Sequence, residues 1–315
     1  MKQLRLYIYA VVLSLTLVAC NEESDNISNS SYSPLTAEDF LPSSSNVNAN
    51  DPSIDPAVSR LEFPHIQSSG TQVLVNRTGE TVNYCVEWDT EKMSQLYSCY
   101  QMDQAYGAVR TSRYYPSGGG ELQYPFDDRV SNYFGHNDPF YSTGYDHGHI
   151  CPSADRLYSA AANKQTFLLT NMQPQVNGFN AGVWENMESQ VREWNKNGFR
   201  NKLFIVKGGT ISNTEAVPNA YETKARTGGD LIIPHYFFMA VLCNTPNDGY
   251  KAMGFWIEHK AGTDKGAALA KYMVNIDELE RLTGIDFFCN LPDNIEEQVE
   301  SADLTEVKKV WPLAN

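Results

Sequence analysis

The chain has 315 residues and a formal net charge of −14. Its length is sufficient for one sizeable hydrophobic core or two modest ones. The charge argues against a protein that holds nucleic acid on a broad basic surface. An enzyme that acts on nucleic acid stays compatible with this charge, because it needs a positive cleft only at its site.

The first 19 residues have the pattern of an export signal. Lys2 and Arg5 precede an apolar run that is short for a membrane span and ends in Leu-Val-Ala-Cys at residues 17–20. This ending resembles a bacterial lipobox, which predicts that Cys20 carries the lipid of a lipoprotein; an ordinary signal peptide is the alternative. We expect an exported protein, anchored in the cell envelope at the outer membrane or the cell surface.

Residues 20–55 are predicted to be a flexible tether. They contain seven acidic residues, no Lys or Arg, and many Ser and Asn residues. Such a composition cannot bury much apolar surface. The folded domain is therefore expected at residues 56–315, where the net charge is −9 once the leader (+2) and the tether (−7) are subtracted from −14.

The domain is predicted to have an α+β fold. Stretches that alternate or are rich in β-formers predict strands at residues 71–75, 82–88, 96–102, 166–170, 202–207, 232–242 and 251–257. Helices are predicted at 180–196, 275–282 and 304–311, with Asn275 as an N-cap and Glu278 at the capping-box position. Many strands and few helices indicate a mostly antiparallel central sheet with flanking helices.

Five cysteines lie in the predicted domain. An exported protein meets oxidising conditions, so disulfides are expected. We predict one between Cys85 and Cys99, which lie on two strand-like runs joined by a polar turn, and a second between Cys243 and Cys289. Cys151 then stays free.

A histidine motif, Asp-His-Gly-His at residues 146–149, begins the part of the chain with the clearest chemistry. Histidine is the side chain best matched to accept a proton near neutral pH. Gly148 has no side chain, so a phosphate group could approach the backbone closely beside His149.

Four residues spaced by four follow further along the chain: Asn180, Trp184, Glu188 and Arg192. On a helix this spacing places them along one face. Asn180 can offer its carbonyl oxygen to a metal ion, Glu188 can reach water on that ion, and Arg192 can pair with Glu188 or with a phosphate. An amphipathic helix with a solvated Glu–Arg pair is the structural alternative, and Trp184 is expected to belong mainly to the core.

Three spaced blocks resemble the DNA/RNA non-specific endonucleases, the ββα-metal nucleases that include endonuclease G. They are Asp-His-Gly-His at 146–149, Asn-Met-Gln-Pro-Gln at 171–175 and Asn-Ala-Gly-Val-Trp-Glu-Asn-Met-Glu at 180–188. Further likeness extends over about residues 60–300. The resemblance implies a ββα-metal motif and hydrolysis of the phosphodiester bonds of both DNA and RNA to 5′-phosphate products.

The same resemblance implies a role for each site residue. His149 matches the general base, and Asn180 matches the sole direct protein ligand of a divalent ion, Mg²⁺, with Mn²⁺ as an alternative. Glu188 matches the acid that holds water on that ion. Asn171 matches an asparagine that supports the histidine and its water network, and Arg192 matches an arginine near the phosphate.

His147 departs from the family, which usually has arginine at this position. Arginine is always charged and binds phosphate through two parallel hydrogen bonds, whereas histidine is neutral for much of its time at pH 7. We therefore expect His147 to act at the site with weaker transition-state stabilisation or a more acidic pH optimum. Arg156 and Lys164 are the candidates for compensation. Asp146 is expected to support the motif rather than take part in chemistry.

A zinc site is a second interpretation of the same motif. On a strand, His147, His149 and Cys151 point to one side, as ligands of Zn²⁺ do. No fourth ligand is evident in the sequence, and the glycine would loosen such a strand.

Three functions follow from these residues. The first is a lipid-anchored, metal-dependent endonuclease with DNA and RNA as substrates. The second is a catalytically weak, nuclease-like module that binds nucleic acid or a partner protein at the cell surface. The absence of the motif arginine favours this second function, whereas the joint presence of His149, Asn180 and Glu188 argues against it. The third is a phosphodiesterase for small nucleotides, and a homodimer is among the assembly states left open.

Overall fold

A seven-stranded antiparallel sheet forms the centre of the computed structural model, which describes residues 45–67, 69–130, 133–196, 199–245 and 249–313. The strands are β1 (Thr71–Thr78), β2 (Thr81–Asp89), β3 (Ser94–Met102), β4 (Asp146–His149), β5 (Met172–Gln175), β6 (Lys202–Gly209), β7 (Tyr221–Arg226), β8 (Gly229–Pro234), β9 (Tyr236–Thr245), β10 (Gly249–Glu258) and β11 (Met273–Val274). The central sheet has the order β1-β2-β3-β6-β9-β10-β11. Two separate antiparallel pairs, β4–β5 and β7–β8, complete the strands of the described ranges. The predicted antiparallel sheet is confirmed.

The helices are α1 (Ala160–Gln165), α2 (Glu185–Trp194), α3 (Ile276–Thr283), α4 (Asp293–Glu300) and α5 (Leu304–Val310). The predicted N-cap is confirmed, because the Asn275 side chain accepts a hydrogen bond from the Glu278 backbone N–H at 3.0 Å. Gly284 ends α3 with a φ of 71°, a left-handed conformation that glycine adopts without strain. The α+β class predicted from the sequence is confirmed.

The central sheet separates two hydrophobic cores. On β2, Tyr84, Val86 and Trp88 alternate with residues of the opposite face and pack on the side that also holds Trp184 and Trp194. The other face packs against α3 and α4, chiefly through Ile276, Leu279, Ile295 and Val299. The pair β4–β5 and the helix α2 therefore lie on one face of the sheet, and α3 and α4 lie on the other.

Two of the predicted strands are wrong. Residues 166–170 are not a strand, because Thr166 ends α1 and a short 3₁₀ turn at Leu169–Asn171 leads into β5. The predicted strand at 232–242 is divided into β8 and β9, since Pro234 has no N–H for a sheet hydrogen bond and the His235 N–H donates to the Ala220 carbonyl instead. The short strands β4 and β5 carry no regular alternation and were not predicted.

Neither predicted disulfide is formed, and all five cysteines of the described residues are buried. Cys85 and Cys99 lie directly opposite each other on β2 and β3, as the sequence indicated. Cys243 packs in the core on one face of the sheet. Cys289 lies on the opposite face, where its Sγ accepts from the Asn50 side chain at 3.5 Å. The positions of the two residues therefore exclude a disulfide between Cys243 and Cys289.

The segment before residue 56 is partly included in the fold. Asn50 is buried, and its side chain donates to the backbone carbonyls of Val58 and Pro64 at 3.1 and 2.9 Å. The predicted leader, the Cys20 lipidation site and most of the tether lie outside the described residues. Within the described part of the chain, no helix is both long enough and apolar enough to span a bilayer.

Candidate active site

The pair β4–β5 positions the histidine motif. His149 is the last residue of β4 and lies opposite Met172, while Gly148 lies opposite Gln173. A Cβ atom on Gly148 would come within 2.3 Å of the Gln175 side chain. The glycine is therefore required by this close packing on the face opposite to the histidines.

Asn171 fixes the backbone immediately after His149. Its Oδ1 accepts from the Cys151 N–H at 2.9 Å and from the Ser98 hydroxyl at 3.0 Å. Its Nδ2 donates to the carbonyls of Cys151 and Thr166 at 2.9 and 2.8 Å. Because both ends of the buried amide are used in this way, Asn171 acts on the position of His149 through the main chain.

Asn180 lies in a π-helical turn, Phe179–Trp184, that precedes α2. The predicted continuous helix over 180–196 is interrupted there, because Gly182 has non-helical torsions (φ −120°, ψ −114°) and packs against the Gly262 carbonyl. The Asn180 Nδ2 donates to Asp146 at 2.9 Å. This bond leaves the Oδ1 atom of Asn180 as a ligand for an ion, and it gives Asp146 the supporting position that the sequence predicted.

Glu188 lies on α2 in a buried network of charges. Its Oε1 is 3.6 Å from Nζ of Lys207, a fully buried lysine on β6. Arg192, one turn further along α2, donates to Asp155 at 3.0 Å and not to Glu188. The other oxygen of Asp155 accepts from the Tyr100 hydroxyl at 2.7 Å. The carboxylate that pairs with Arg192 is therefore Asp155, and not Glu188 as the sequence suggested.

The two carboxyl groups of this network differ in charge. Burial raises the pKa of Glu188 to about 7, against the opposing effects of Lys207 and Arg192. Burial acts on Asp155 as well, but Lys207 and Arg192 outweigh it and hold the pKa of Asp155 below its ordinary value. Near pH 7, Asp155 therefore carries a full negative charge, and Glu188 changes easily between its protonated and charged forms.

His149 is held as a neutral imidazole. Burial, followed by the positive charge of Arg113, lowers its pKa to about 3. The ring contacts Phe167 edge-on at 4.9 Å between centroids, and the Trp184 indole N–H points to the His149 carbonyl at 3.4 Å. Nε2 of His149 is buried and has no hydrogen-bond partner among the described residues. A neutral histidine with an unpaired nitrogen has the lone pair that accepts a proton, while the lowered pKa makes it a weaker base than an exposed histidine.

His147 is fixed by contacts on three sides. Its ring stacks on Tyr124 with 3.8 Å between centroids and 2° between planes, and it stacks on Phe140 at 4.6 Å. Its Nε2 lies 3.0 Å from Asp138. Burial alone would raise the pKa of Asp138, but the bond to His147 lowers it. His147 therefore belongs to a packed pair with Asp138, which the sequence did not indicate.

Arg113 supplies a positive charge to the cleft beside the histidine motif. It is exposed, its guanidinium lies 4.7 Å from the centre of the Phe167 ring, and it lines the same cleft as His149. The predicted compensating residues do not lie there. Arg156 is fully buried against Tyr100, and Lys164 pairs with Glu121 on the surface.

One cleft of about 470 Å³ brings the predicted residues together. It is lined by His147, His149, Asn180, Glu188, Arg192 and Arg113, among others, whereas Asn171 lies below it. The Oε1 atom of Glu188 and Nε2 of His149 are both buried without hydrogen-bond partners among the described residues. Unpaired polar atoms of this kind, in the same cleft as the amide oxygen of Asn180, are suited to a hydrated hard cation such as Mg²⁺.

The zinc interpretation is not supported. In the described ranges, His, Cys, Asp and Glu side chains converge in a group of three or more only at Asp277, Glu280 and Glu300, outside this cleft. Cys151 is buried beyond the end of β4, and Nε2 of His147 is bound to Asp138. A larger cavity of about 590 Å³ borders the cleft through Tyr145, but it contains neither His149 nor Asn180.

Comparison with known proteins shows which proteins the chain resembles. The family model described as DNA/RNA non-specific endonuclease matches residues 64–294. A nuclease of Nostoc sp. is 34% identical over 168 residues, which are 50% of this chain and 56% of that protein. Human mitochondrial endonuclease G is 26% identical over 54% of this chain and 58% of its own length. The chain thus spans about half the length of the curated relatives that it matches.

A solved structure shows the same fold. The crystal structure of an EndoG–EndoGI complex superposes with a TM-score of 0.59 at 17% identity, covering 76% of this chain and 94% of that chain. At this identity the likeness concerns the fold alone.

Proposed function

Because the chain belongs to the DNA/RNA non-specific endonuclease family, we propose that it is a metal-dependent endonuclease that hydrolyses phosphodiester bonds of DNA and RNA to 5′-phosphate products. The observation that carries the proposal is the cleft in which a neutral His149 with an unpaired Nε2 lies beside Asn180 and Glu188. No 2′-hydroxyl is needed for attack by water, so both nucleic acids are substrates.

His149 is the general base. Its Nε2 takes a proton from the water that attacks the phosphorus atom in line. The low pKa means that the base is unprotonated over the whole neutral range, so no deprotonation has to precede attack. Asn171, by holding the backbone of Cys151, keeps the imidazole in place while the proton moves.

Asn180 and Glu188 are the residues that hold the divalent ion, Asn180 through Oδ1 and Glu188 through water. When bound, Mg²⁺ or Mn²⁺ supplies Lewis-acid stabilisation of the non-bridging phosphate oxygen and of the departing 3′-oxygen. Asp146 orients the amide of Asn180. Lys207 limits the rise in the pKa of Glu188, which keeps the charged form accessible near pH 7.

Arg113 and Arg192 are the cations that meet the phosphate. Both line the cleft, and Arg192 is fixed by Asp155. These two guanidinium groups are the cations of the cleft that attract the phosphate, although the whole chain carries −14. His147 contributes less to the phosphate than an arginine would, because its Nε2 is directed to Asp138.

The place of action that we propose is the cell envelope, with Cys20 as the lipid attachment site. This part of the proposal rests on the sequence of residues 1–20. It predicts that the protein fractionates with membranes and that Cys20→Ser releases it.

The test is a nicking assay on supercoiled plasmid and on single-stranded RNA, with Mg²⁺, with Mn²⁺ and with EDTA. The wild-type protein and a control, His65→Ala at an exposed histidine outside the cleft, should cleave both substrates only with the ion. His149→Ala should cleave at least about 10²-fold more slowly, and the wild-type products should be ligatable without added kinase.

Cleavage by His149→Ala at the wild-type rate would remove that residue from its role. A wild-type protein that binds nucleic acid but is inert with Mg²⁺, Mn²⁺ and Ca²⁺ would support the weak nuclease-like binding module instead.

A further inference from the structure

A second group of acidic side chains lies on the face of the sheet opposite to the catalytic cleft. Asp277 and Glu280 are on α3, and Glu300 is the last residue of α4. One carboxylate oxygen from each of the three lies within 4.8 Å of one from each of the others. None of these residues lines the catalytic cleft.

Glu300 is the unusual member of this group. It is 93% buried, with a relative exposure of 7%, and its Oε1 atom has no hydrogen-bond partner among the described residues. The charges that act on it most strongly are the carboxyl groups of Glu280, Glu296, Asp286 and Asp277. In its charged form, a buried carboxyl group with an unpaired oxygen and acidic neighbours is costly unless a cation compensates it.

The surrounding contacts leave oxygen atoms available toward the centre of the group. Glu280 uses one oxygen to accept the Phe287 N–H at 2.7 Å, which orients its carboxylate. The Asn48 amide donates to both Asp286 and Glu296, at 3.1 and 3.0 Å, so these two acids are already bound to a donor. Glu300 has no comparable donor for Oε1.

We propose that Asp277, Glu280 and Glu300 form a structural site for a divalent cation, Ca²⁺ in preference to Mg²⁺, which joins α3 to the end of α4. Ca²⁺ binds six to eight oxygens at about 2.3–2.6 Å, so a single ion bridges ligand atoms that are up to about 5 Å apart. Mg²⁺ requires a tighter octahedron, at about 2.0–2.1 Å. The exposed carboxylate of Asp277 gives the ion a path from solvent.

The experiment is Ca²⁺ titration by isothermal calorimetry, after removal of metals, in an Asn180→Ala background that weakens the catalytic ion site. One Ca²⁺ should bind per chain, and a tenfold excess of Mg²⁺ should not displace it. Glu300→Gln and Asp277→Asn should each weaken binding at least tenfold. Glu278→Gln, on the same helix but paired with Arg281, should change it less than twofold.

Thermal unfolding gives the second measurement. Ca²⁺ should raise the Tm of the Asn180→Ala protein by several degrees but not that of its Glu300→Gln derivative. The exposed Asp277→Asn change keeps the test valid if Glu300→Gln fails to fold. Absence of Ca²⁺ binding, or equal binding by parent, Asp277→Asn and Glu300→Gln, would overturn the proposal and assign the group as protonated carboxyl groups instead.

Discussion

Replacing Glu188 by glutamine should stabilise the metal-free protein in alkaline solution while it removes activity. The folded-state pKa of Glu188 is raised from 4.5 to about 7 by burial. A raised acid pKa contributes stability that is fully present below the unfolded value and is lost as the pH rises through the folded value. At about 1.4 kcal/mol per unit, the loss for the wild-type protein totals about 3 kcal/mol.

The measurement is urea unfolding in EDTA of wild type and Glu188→Gln at pH 5 and pH 8. Between these two values, the stability of the variant relative to wild type should rise by about 2.5 kcal/mol, since only wild type must ionise a buried carboxyl group. Lys207 keeps a counter-charge in the variant, because Asp155 also interacts with it. Glu193→Gln, on the exposed face of α2, is the matched control and should show no such dependence.

A stability difference between Glu188→Gln and wild type that is the same at both pH values would refute the reasoning. It would mean that Glu188 is not held in a site that disfavours its charge. The same variant, although more stable at pH 8, should lose nicking activity, since the group that costs stability is the one that serves the ion.

Three further predictions concern the cleft. Arg113→Ala should lower the nicking rate about tenfold or more without a change in Tm, because Arg113 is exposed and acts on the phosphate. The control is Arg110→Ala, at an exposed arginine of the same loop outside the cleft, which should leave the rate unchanged. Equal effects of the two changes would contradict the assignment of Arg113. His147→Arg should raise the rate above pH 7 in a series from pH 5 to 9 on plasmid DNA, and no gain there would show that the motif arginine is not what this site lacks. The apparent Mg²⁺ affinity should fall about tenfold per pH unit below pH 7, as Glu188 takes up a proton, and stay level above pH 8; an affinity independent of pH would exclude Glu188 from the ion site.

The sequence predicted those parts of the fold in which one chemical pattern repeats along an element. The run of β-forming residues in β2 and the cap at Asn275 are examples, because strand propensity and capping follow from the local sequence. The pair β4–β5 could not be predicted in this way. Each of its strands has only four residues, without a hydrophobic alternation. The backbone just after β4 is held by the buried amide of Asn171, which binds Cys151.

The site was predicted in its central residues and incompletely in its surroundings. His149, Asn180, Glu188 and Arg192 line one cleft, although the helix is interrupted at Gly182. Arg113 was missed, because its position beside His149 depends on a long irregular segment folding over Phe167, for which no local pattern exists.

Lys207 is different, because a signal for it was present. A lysine inside the apolar run of β6 must find a buried counter-charge, and a search for that partner would have led to Glu188 and Asp155. Asp138 had no comparable signal, since it lies in an irregular segment nine residues before the histidine that it binds.

The role of His149 is the central claim, and single-turnover nicking of plasmid DNA with saturating Mg²⁺ tests it most directly. His149→Ala should reduce the rate by about 10²–10⁴-fold, the usual contribution of a general base. Added imidazole should restore part of that rate to His149→Ala but none to Asn180→Ala, because only the first change removes the proton acceptor and leaves a space for it. A His149→Ala protein that cleaves at the wild-type rate would contradict the account.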